Sequence, residues 1–567
     1  MDLISYIKDN NLIEQKQLNS ITNNFLQKKF TFYQELWRNG SKYGIEQKTL
    51  LNWAIAAGGN GYEIISTTKH MFTDAEDFAK FGGVETCVGR QLMCIRRPNK
   101  PLCILTLRPD DNGLIANLNR AFGAGEYTIG ICDQNMWSTI YSLGVEPLFI
   151  EARAMKMEKK VSTEKGVSTQ IEESEARSIY NMVITLGITR DASDIHIIPC
   201  DKKCNVLYRI DGTNYNLMSI PNIIAERITN ILITDGKVHS KGLDRTLDGK
   251  VKYVMKNDIK NVERELRFSI MPTRRGRDIN IRFLNNKLYT FADLGMSEDN
   301  VTLFKRILEM PQGLIMQVGP TGSGKSTTLY AGLSYIHENT LRNIITVEDP
   351  VEVLMEGITQ VDVNEDVGLT FAQVSRQFLR HDVDVGVVGE IRDEITAAEA
   401  VRAATTGHLV ISSLHTNDAL GVLERLVRLG VDPYTLSEVL VAIMSQRLVR
   451  RLCPHCKREI VVNFKSDISK IYGFPNVNED HTFYEAVGCE HCNNIGYKGR
   501  VAVNEILLVD RTLRDMIQRH VTRKTMEDYL REQKFKTMFE DAKDKALQGI
   551  TSLDELKSMN VDTLAYK

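Results

Sequence analysis

The run Leu314-Ile-Met-Gln-Val, followed by Gly319-Pro320-Thr321-Gly322-Ser323-Gly324-Lys325-Ser326-Thr327, constrains this chain more than any other stretch. A short segment of strand formers enters turn-forming glycines, and a Lys-Ser pair then opens a helical pattern that continues to about Ile336. Gly319, Gly324, Lys325 and Ser326 have the spacing of a phosphate-binding loop. Gly322 and Gly324 lack a Cβ, so backbone N–H groups can turn inward onto phosphate oxygens. Lys325 can reach the β and γ oxygens of a nucleoside triphosphate, and Ser326 can ligate Mg²⁺. The helix N-terminus adds partial positive charge. A strand, a loop and a helix in this order predict an α/β fold.

With 567 residues the chain exceeds one core, and about 150 residues per domain suggests three or four domains. Its 71 basic and 73 acidic residues leave a net charge of -2, so no global field attracts nucleic acid or an anionic membrane. No apolar run approaches the ~20 residues that span a bilayer. The N-terminal residues lack a basic segment followed by an apolar one. The expected compartment is the cytoplasm, where the ten cysteines are reduced or metal-bound.

Taken in order, residues 1–153 read as a helical unit to about Leu51 and then as an α/β domain. Its strand-like runs are Leu102–Leu107, Tyr127–Cys132 and Pro147–Glu151. Cys87, Cys94, Cys103 and Cys132 have no metal-ligand spacing and read as buried small apolar residues. Residues 154–174 are charged and poor in aromatics, which predicts a flexible linker. In the second domain, 175–288, strands are expected at Ser193–Ile198, Asn205–Gly212, Leu266–Met271 and Asp278–Leu284, with a helix over Pro221–Ile233. Arg267 and Arg282 fall on separate strands, and each alone reads as a surface charge.

The nucleotide domain, 289–567, continues with Asn343–Glu348, an apolar strand ending in Glu348 and Asp349. In an open α/β sheet ligands sit at the carboxyl ends of strands, which brings these carboxylates toward the phosphates. Val385–Val388 is a second buried-strand pattern, followed by Glu390, a carboxylate suited to binding Mg²⁺ through water or polarising an attacking water. His408 and His415 bracket a further strand. A separation of seven residues puts them on opposite faces of a regular strand, unsuited to one metal, while His415 at the strand end could sense the γ-phosphate. Cys453, Cys456, Cys489 and Cys492 form two C-x₂-C knuckles, the pattern of a tetrahedral structural Zn²⁺ site at about 450–500. Ser552 with Glu555 reads as a helix-capping pair.

Together these residues resemble a known family. The segments 192–197, 209–212, 319–330, 345–352, 377–400, 406–419, 446–456, 496–500 and 549–556 are similar to those of the type II secretion and type IV pilus assembly ATPases, over roughly residues 175 to 560. The resemblance implies a RecA-like P-loop domain joined to a PAS-like second domain, a ring-shaped homo-hexamer, and ATP between the two domains. It assigns Lys325 and Ser326 to phosphates and Mg²⁺, Glu348 and Asp349 to an acidic box, and Glu390 to catalysis. His408 and His415 match its histidine box. Arg267 with Arg282, and Arg376 with Arg380, match two arginine pairs proposed to contact the γ-phosphate, because chemistry that builds negative charge needs placed cations. The family's Gly-Glu before the second arginine is Gly276-Arg277 here, and its Asp-Pro-Asp is Asp382-Val383-Asp384.

The long N-terminal region and the zinc knuckles resemble pilus-extension or secretion members. The expected protein is a cytoplasmic motor, peripheral to the inner membrane, that drives pilin polymerisation through a membrane platform protein while its N-terminal domain docks on a recruiting partner. A secretion pseudopilus motor is the alternative. A nucleic-acid translocase is disfavoured by near-neutral charge and the lack of an aromatic-basic stripe, so no nucleic acid is expected. A scaffold that only binds nucleotide is disfavoured by the intact acidic positions.

Overall fold

The computed structural model describes residues 3–28, 33, 36, 40–43, 45–58, 62–65, 71–98, 100–107, 112–163, 169–238, 245–255, 262–284, 287–378, 380–416, 418–463, 480–556 and 559. Two compact units emerge, one of residues 1–283 with 488–496 and one of 284–487 with 497–567.

In the first unit, helices Leu3–Asp9, Gln15–Lys28 and Gln47–Gly58 bury Leu3, Ile7, Leu18, Ile21, Leu50 and Ala54 together, the apolar stripes that helical spacing dictates. Beside them β1 (Tyr62–Ile64), β2 (Leu92–Ile95), β3 (Leu102–Thr106) and β4 (Tyr127–Ile131) form a sheet in the order β1-β4-β3-β2. Cys87, Cys94, Cys103 and Cys132 are buried in its core, as expected of small apolar side chains.

The run Pro147–Glu151, expected as a strand, opens the helix Glu146–Thr163 instead. A proline in the first helical turn loses no hydrogen bond, so Pro147 is tolerated there. The same helix corrects the linker expectation for 154–163. Ile150, Ala154 and Met157 recur at helical spacing and are buried with Ala176, Ile179 and Tyr180 of the next helix, Thr169–Thr189. Lys156 and Lys159, among the charges that suggested a solvated tether, are exposed on this helix. Residues 164–168 of the expected linker lie outside the described residues.

A six-stranded sheet follows, ordered β7-β6-β5-β10-β9-β8, from β5 (Ala192–Pro199), β6 (Lys203–Ile210), β7 (Thr213–Pro221), β8 (Leu247–Met255), β9 (Val262–Thr273) and β10 (Gly276–Leu284). Ile195, Ile197, Leu266, Phe268, Ile279 and Ile281 fill one face together with helices Thr169–Thr189 and Asn222–Asp235. Period-two alternation therefore sends Asp194, Arg267 and Arg282 to the other face.

The second unit is built on a seven-stranded sheet. Its strands are β11 (Gly313–Val318), β12 (Ile344–Glu348), β13 (Thr359–Asp362), β14 (Val385–Val388), β15 (Leu409–Leu414), β16 (Leu440–Leu452) and, beyond the hairpin of β17 (Arg458–Asn463) and β18 (Asp480–Glu485), β19 (Tyr497–Leu508). The order is β13-β12-β14-β15-β11-β16-β19, parallel except for the antiparallel β16–β19 pair. Strands β11 and β14 are buried throughout, which is why they read as apolar runs rather than as alternation. Parallel pairing brings the carboxyl ends of β12, β14, β15 and β11 to one edge. The helix start expected at Ser552 is present, residues 553–556 being helical, and the side chains of Ser552 and Glu555 also reach other groups. Ser552 Oγ lies 2.7 Å from the Tyr497 hydroxyl, and Glu555 accepts from the Arg450 backbone N–H and Nε, each at 2.8 Å.

Truncating Met157 to Ala should lower stability by about 2–3 kcal/mol, the usual cost of emptying a core position. Urea unfolding followed by circular dichroism measures this, and an unchanged midpoint would mean that 154–163 is a tether after all.

Candidate active site and metal centre

The phosphate loop leaves the end of β11 at Gly319 and enters the helix Lys325–Asn339, as the motif required. Gly324 is the N-cap, at φ +85°, a left-handed conformation that a side chain disfavours. Gly319 has no room for a Cβ, which would collide with the backbone oxygen of Gln446. Lys325 is half-buried and donates from Nζ to the carbonyl oxygens of Gly319 at 2.7 Å and Pro320 at 3.3 Å. Burial pushes its pKa down, and the nearby Glu390 carboxylate acts in the opposite sense. A lysine whose charge is short of solvent at the mouth of a loop is poised to bind an anion. Thr321, Gly322 and Ser326 are exposed, with the Ser326 hydroxyl at the first turn of the helix. This is the group that would ligate Mg²⁺ when it accompanies a nucleotide, supplying charge neutralisation between phosphate oxygens. Ser323 is buried and Thr327 is half-buried in the same turn.

Glu390 lies just past β14 and is partly buried. It is paired with Arg392 Nη2 at 3.0 Å and with His415 Nε2 at 3.5 Å. Arg392 also reaches Asp349 at 3.1 Å, so one guanidinium joins the carboxylates that follow β14 and β12. Its pKa is raised, chiefly by the hydrogen bond to Glu390. Lys325, Glu390, Asp349 and His415 are thus brought together, and Arg392 is the member that sequence reasoning missed. Its place two residues after a strand-end glutamate was the available signal.

Glu348 is brought to the same edge but faces inward, 7% exposed. Its carboxylate accepts from the Tyr330 hydroxyl, from Thr346 Oγ1 at 2.6 Å and from Gln360 Nε2 at 3.2 Å. Three donors leave this group engaged in holding the loop helix, through Tyr330, against β12. Tyr330 also accepts from the Glu352 N–H at 3.0 Å, and burial raises the pKa of its phenol.

Other expected members are placed elsewhere. His408 sits at the amino end of β15, where Nδ1 lies 3.0 Å from the Ala403 carbonyl oxygen and 3.2 Å from Thr406 Oγ1. Because β15 runs parallel to β11, that end is a strand length, roughly 20 Å, from the phosphate loop. Arg376 pairs with Glu399 at 2.7 Å and Arg380 is exposed. No contact of either with the loop is present among the described residues. In the first unit Arg282 pairs with Asp194 at 2.8 Å, while Arg267 Nε and Nη2 are buried without a hydrogen-bond partner. Asp384 accepts from the Asn343 N–H at 2.7 Å, tying the amino ends of β12 and β14.

A second residue to which the sequence assigned no role is Gln446, the first of the segment 446–456, on β16 and 1% exposed. Its Nε2 donates to the Ser323 carbonyl at 2.8 Å and its Oε1 accepts from Thr328 Oγ1 at 2.8 Å.

The metal-ligating expectation is met geometrically. The Sγ atoms of Cys453, Cys456, Cys489 and Cys492 all lie within 4.8 Å of one another. The N–H groups of Cys489 and Gly496 each approach Cys492 Sγ at 3.2 Å, and this sulfur also lies 3.3 Å from the Cys489 carbonyl oxygen. Four soft sulfur ligands in this arrangement suit tetrahedral Zn²⁺.

The family model described as "Type II/IV secretion system protein" matches residues 170–558. The chain belongs to this family. It is 37% identical over 413 residues to the type IV pilus assembly ATPase PilB of Thermus thermophilus, covering 72% of this chain and 46% of that one. It is 38% identical over 386 residues to the type II secretion system ATPase E of Vibrio cholerae, covering 67% and 74%. The chain thus spans about half the length of the first relative and about three quarters of the second. The solved structure of the Yersinia pseudotuberculosis ATPase DotB is similar with a TM-score of 0.52 at 20% identity, over 68% of this chain and 94% of that one. These likenesses bear out the expected family, the RecA-like α/β fold and the ATPase class.

The purified protein should carry about one zinc per chain, counted by elemental analysis. Cys489→Ser should lower both the zinc content and the melting temperature. Undiminished zinc would contradict the assignment.

Proposed function

We propose that this chain is a motor ATPase of type IV pilus assembly. The observation that carries the reading is the strand-end cluster in which Lys325, Glu390, Asp349 and His415 meet beside an intact phosphate loop. Lys325 binds the β/γ-phosphates of ATP, Ser326 and the strand-end carboxylates hold Mg²⁺, and Glu390, once released from Arg392, polarises the attacking water. Arg392 and His415 follow the charge of the γ-phosphate and report its loss. Arg267 and Arg282, with Arg376 and Arg380, supply further cations to that charge, some of them to a neighbouring copy in a homo-hexamer. Arg267, with buried nitrogens short of partners, is the member best prepared for an anion.

In this reading hydrolysis drives an inner-membrane platform protein that polymerises pilin, and the domain of residues 1–153 recruits the motor through a partner. No helix among the described residues is long and apolar enough to cross a membrane, which suits a cytoplasmic motor held at the membrane by other proteins. The names of the Thermus relative and of two further PilB relatives support the pilus assignment. A second reading, a type II secretion motor that drives a pseudopilus, is favoured by the equally similar Vibrio relative.

Cells carrying Lys325→Ala or Glu390→Ala should lose surface fibres while the purified variant keeps the wild-type assembly size. Electron microscopy and light scattering read the two outcomes. Normal fibres would refute the motor reading, and lost secretion with intact pili would favour the second.

A further inference from the structure

We infer that Gln446 is a positioning residue for the phosphate loop, setting the affinity for the nucleotide without taking part in its chemistry. The inference rests on the ATPase reading. Gln446 follows the apolar run Leu440–Met444 and Ser445 on β16 and is itself buried, and a buried amide is tolerated only if its hydrogen-bonding capacity is filled. Both side-chain bonds described for it go to one place. Nε2 holds the Ser323 carbonyl in the loop, and Oε1 holds Thr328 in the first turn of the following helix. One planar amide therefore fixes the distance between the loop and the helix that extends it.

Its backbone acts on the same loop. The carbonyl oxygen occupies the space in which a Cβ on Gly319 would stand, and Nε2 lies 2.9 Å from where a Cβ on Gly324 would stand. Two of the glycines that define the motif are thus required by Gln446 as well as by the phosphates. The strand that carries the amide is itself anchored. Gln446 pairs with Asn504 on β19, whose backbone N–H donates to Asp541 Oδ2 at 3.0 Å, and Asp541 is in turn ion-paired with the buried Lys545.

A loop held in shape before the nucleotide arrives contacts the α- and β-phosphates equally well in the ground state and in the transition state. Losing that hold weakens uniform binding, so KM rises and kcat is kept. A merely structural role predicts the opposite split, because a smaller folded fraction lowers kcat in proportion and leaves KM alone.

The test is steady-state hydrolysis of Mg-ATP by the full-length chain as wild type, Gln446→Ala, Gln446→Glu and Thr328→Val, with a fluorescent ADP analogue titrated onto each. Gln446→Glu keeps an acceptor for Thr328 and replaces the donor to Ser323, so it probes the loop bond even if the alanine variant folds poorly. Both Gln446 variants should raise KM about tenfold and weaken ADP-analogue binding equally, with kcat within about twofold, and Thr328→Val should give a smaller rise in the same direction. Unchanged KM and ADP affinity in Gln446→Glu, or a fall in kcat alone, would overturn the inference. A wild-type chain without hydrolysis would count against the ATPase reading, and the ADP titration would still decide the role of Gln446.

Discussion

A lysine ammonium set into the mouth of a backbone loop is the interaction on which the rest of this structure depends. Lys325 donates to the carbonyls of Gly319 and Pro320 and is half-buried, so its charge is underserved by water and by neutral acceptors. The fold supplies what keeps it there. A strand buried throughout brings the chain to the loop, glycines admit the tight turn, and a helix of fifteen residues points its N-terminus at the same space. Strands β12, β14 and β15 then end beside it, and each contributes a charged or ionisable group just past its last residue. Architecture and chemistry meet because a parallel sheet has one edge at which its strands all end.

Around that edge the polar groups divide into those that brace and those that are free to exchange partners. Glu348, filled by three donors and nearly inaccessible, ties the loop helix to β12, and Gln446 ties it to β16. The loop helix is thus held to strands that lie on either side of β11 in the sheet order. By contrast Glu390 is ion-paired with Arg392 near the surface, with His415 Nε2 3.5 Å away, and contacts this exposed cost little to open. Such a division suits a site that must keep its phosphate cradle rigid while a carboxylate and a guanidinium re-aim.

Much of this was legible in the chain because strong local patterns coincide with the chemistry. Spacing alone located the loop, the strand-end Glu390 and the paired C-x₂-C knuckles. What escaped had physical causes. Gln446 lies over a hundred residues from the groups it holds, between Ser445 and Arg447, where only strand order reveals its neighbours. His408 is grouped with His415 only through the histidine box of the resemblance, and because the two bracket β15 they stand at its opposite ends, a strand length apart. The segment 154–163 looked like a tether because charge dominates its composition, although Ile150, Ala154 and Met157 already carried the period of a packed helix. Arg267 and Arg282 were read from a resemblance, since an alternating strand shows which face an arginine takes but not what it meets.

If the groups gathered at this edge hydrolyse a nucleotide, Glu390 is the one whose chemistry cannot be replaced by shape. Phosphate release from Mg-ATP by the purified chain, set beside Glu390→Gln, tests that claim most directly. The substitution preserves size and leaves the loop, Lys325 and Gln446 untouched. Wild-type turnover that falls by at least about a hundredfold in the variant, with nucleotide still bound at near-wild-type affinity, is the predicted result. Equal phosphate release from the two proteins would contradict the account.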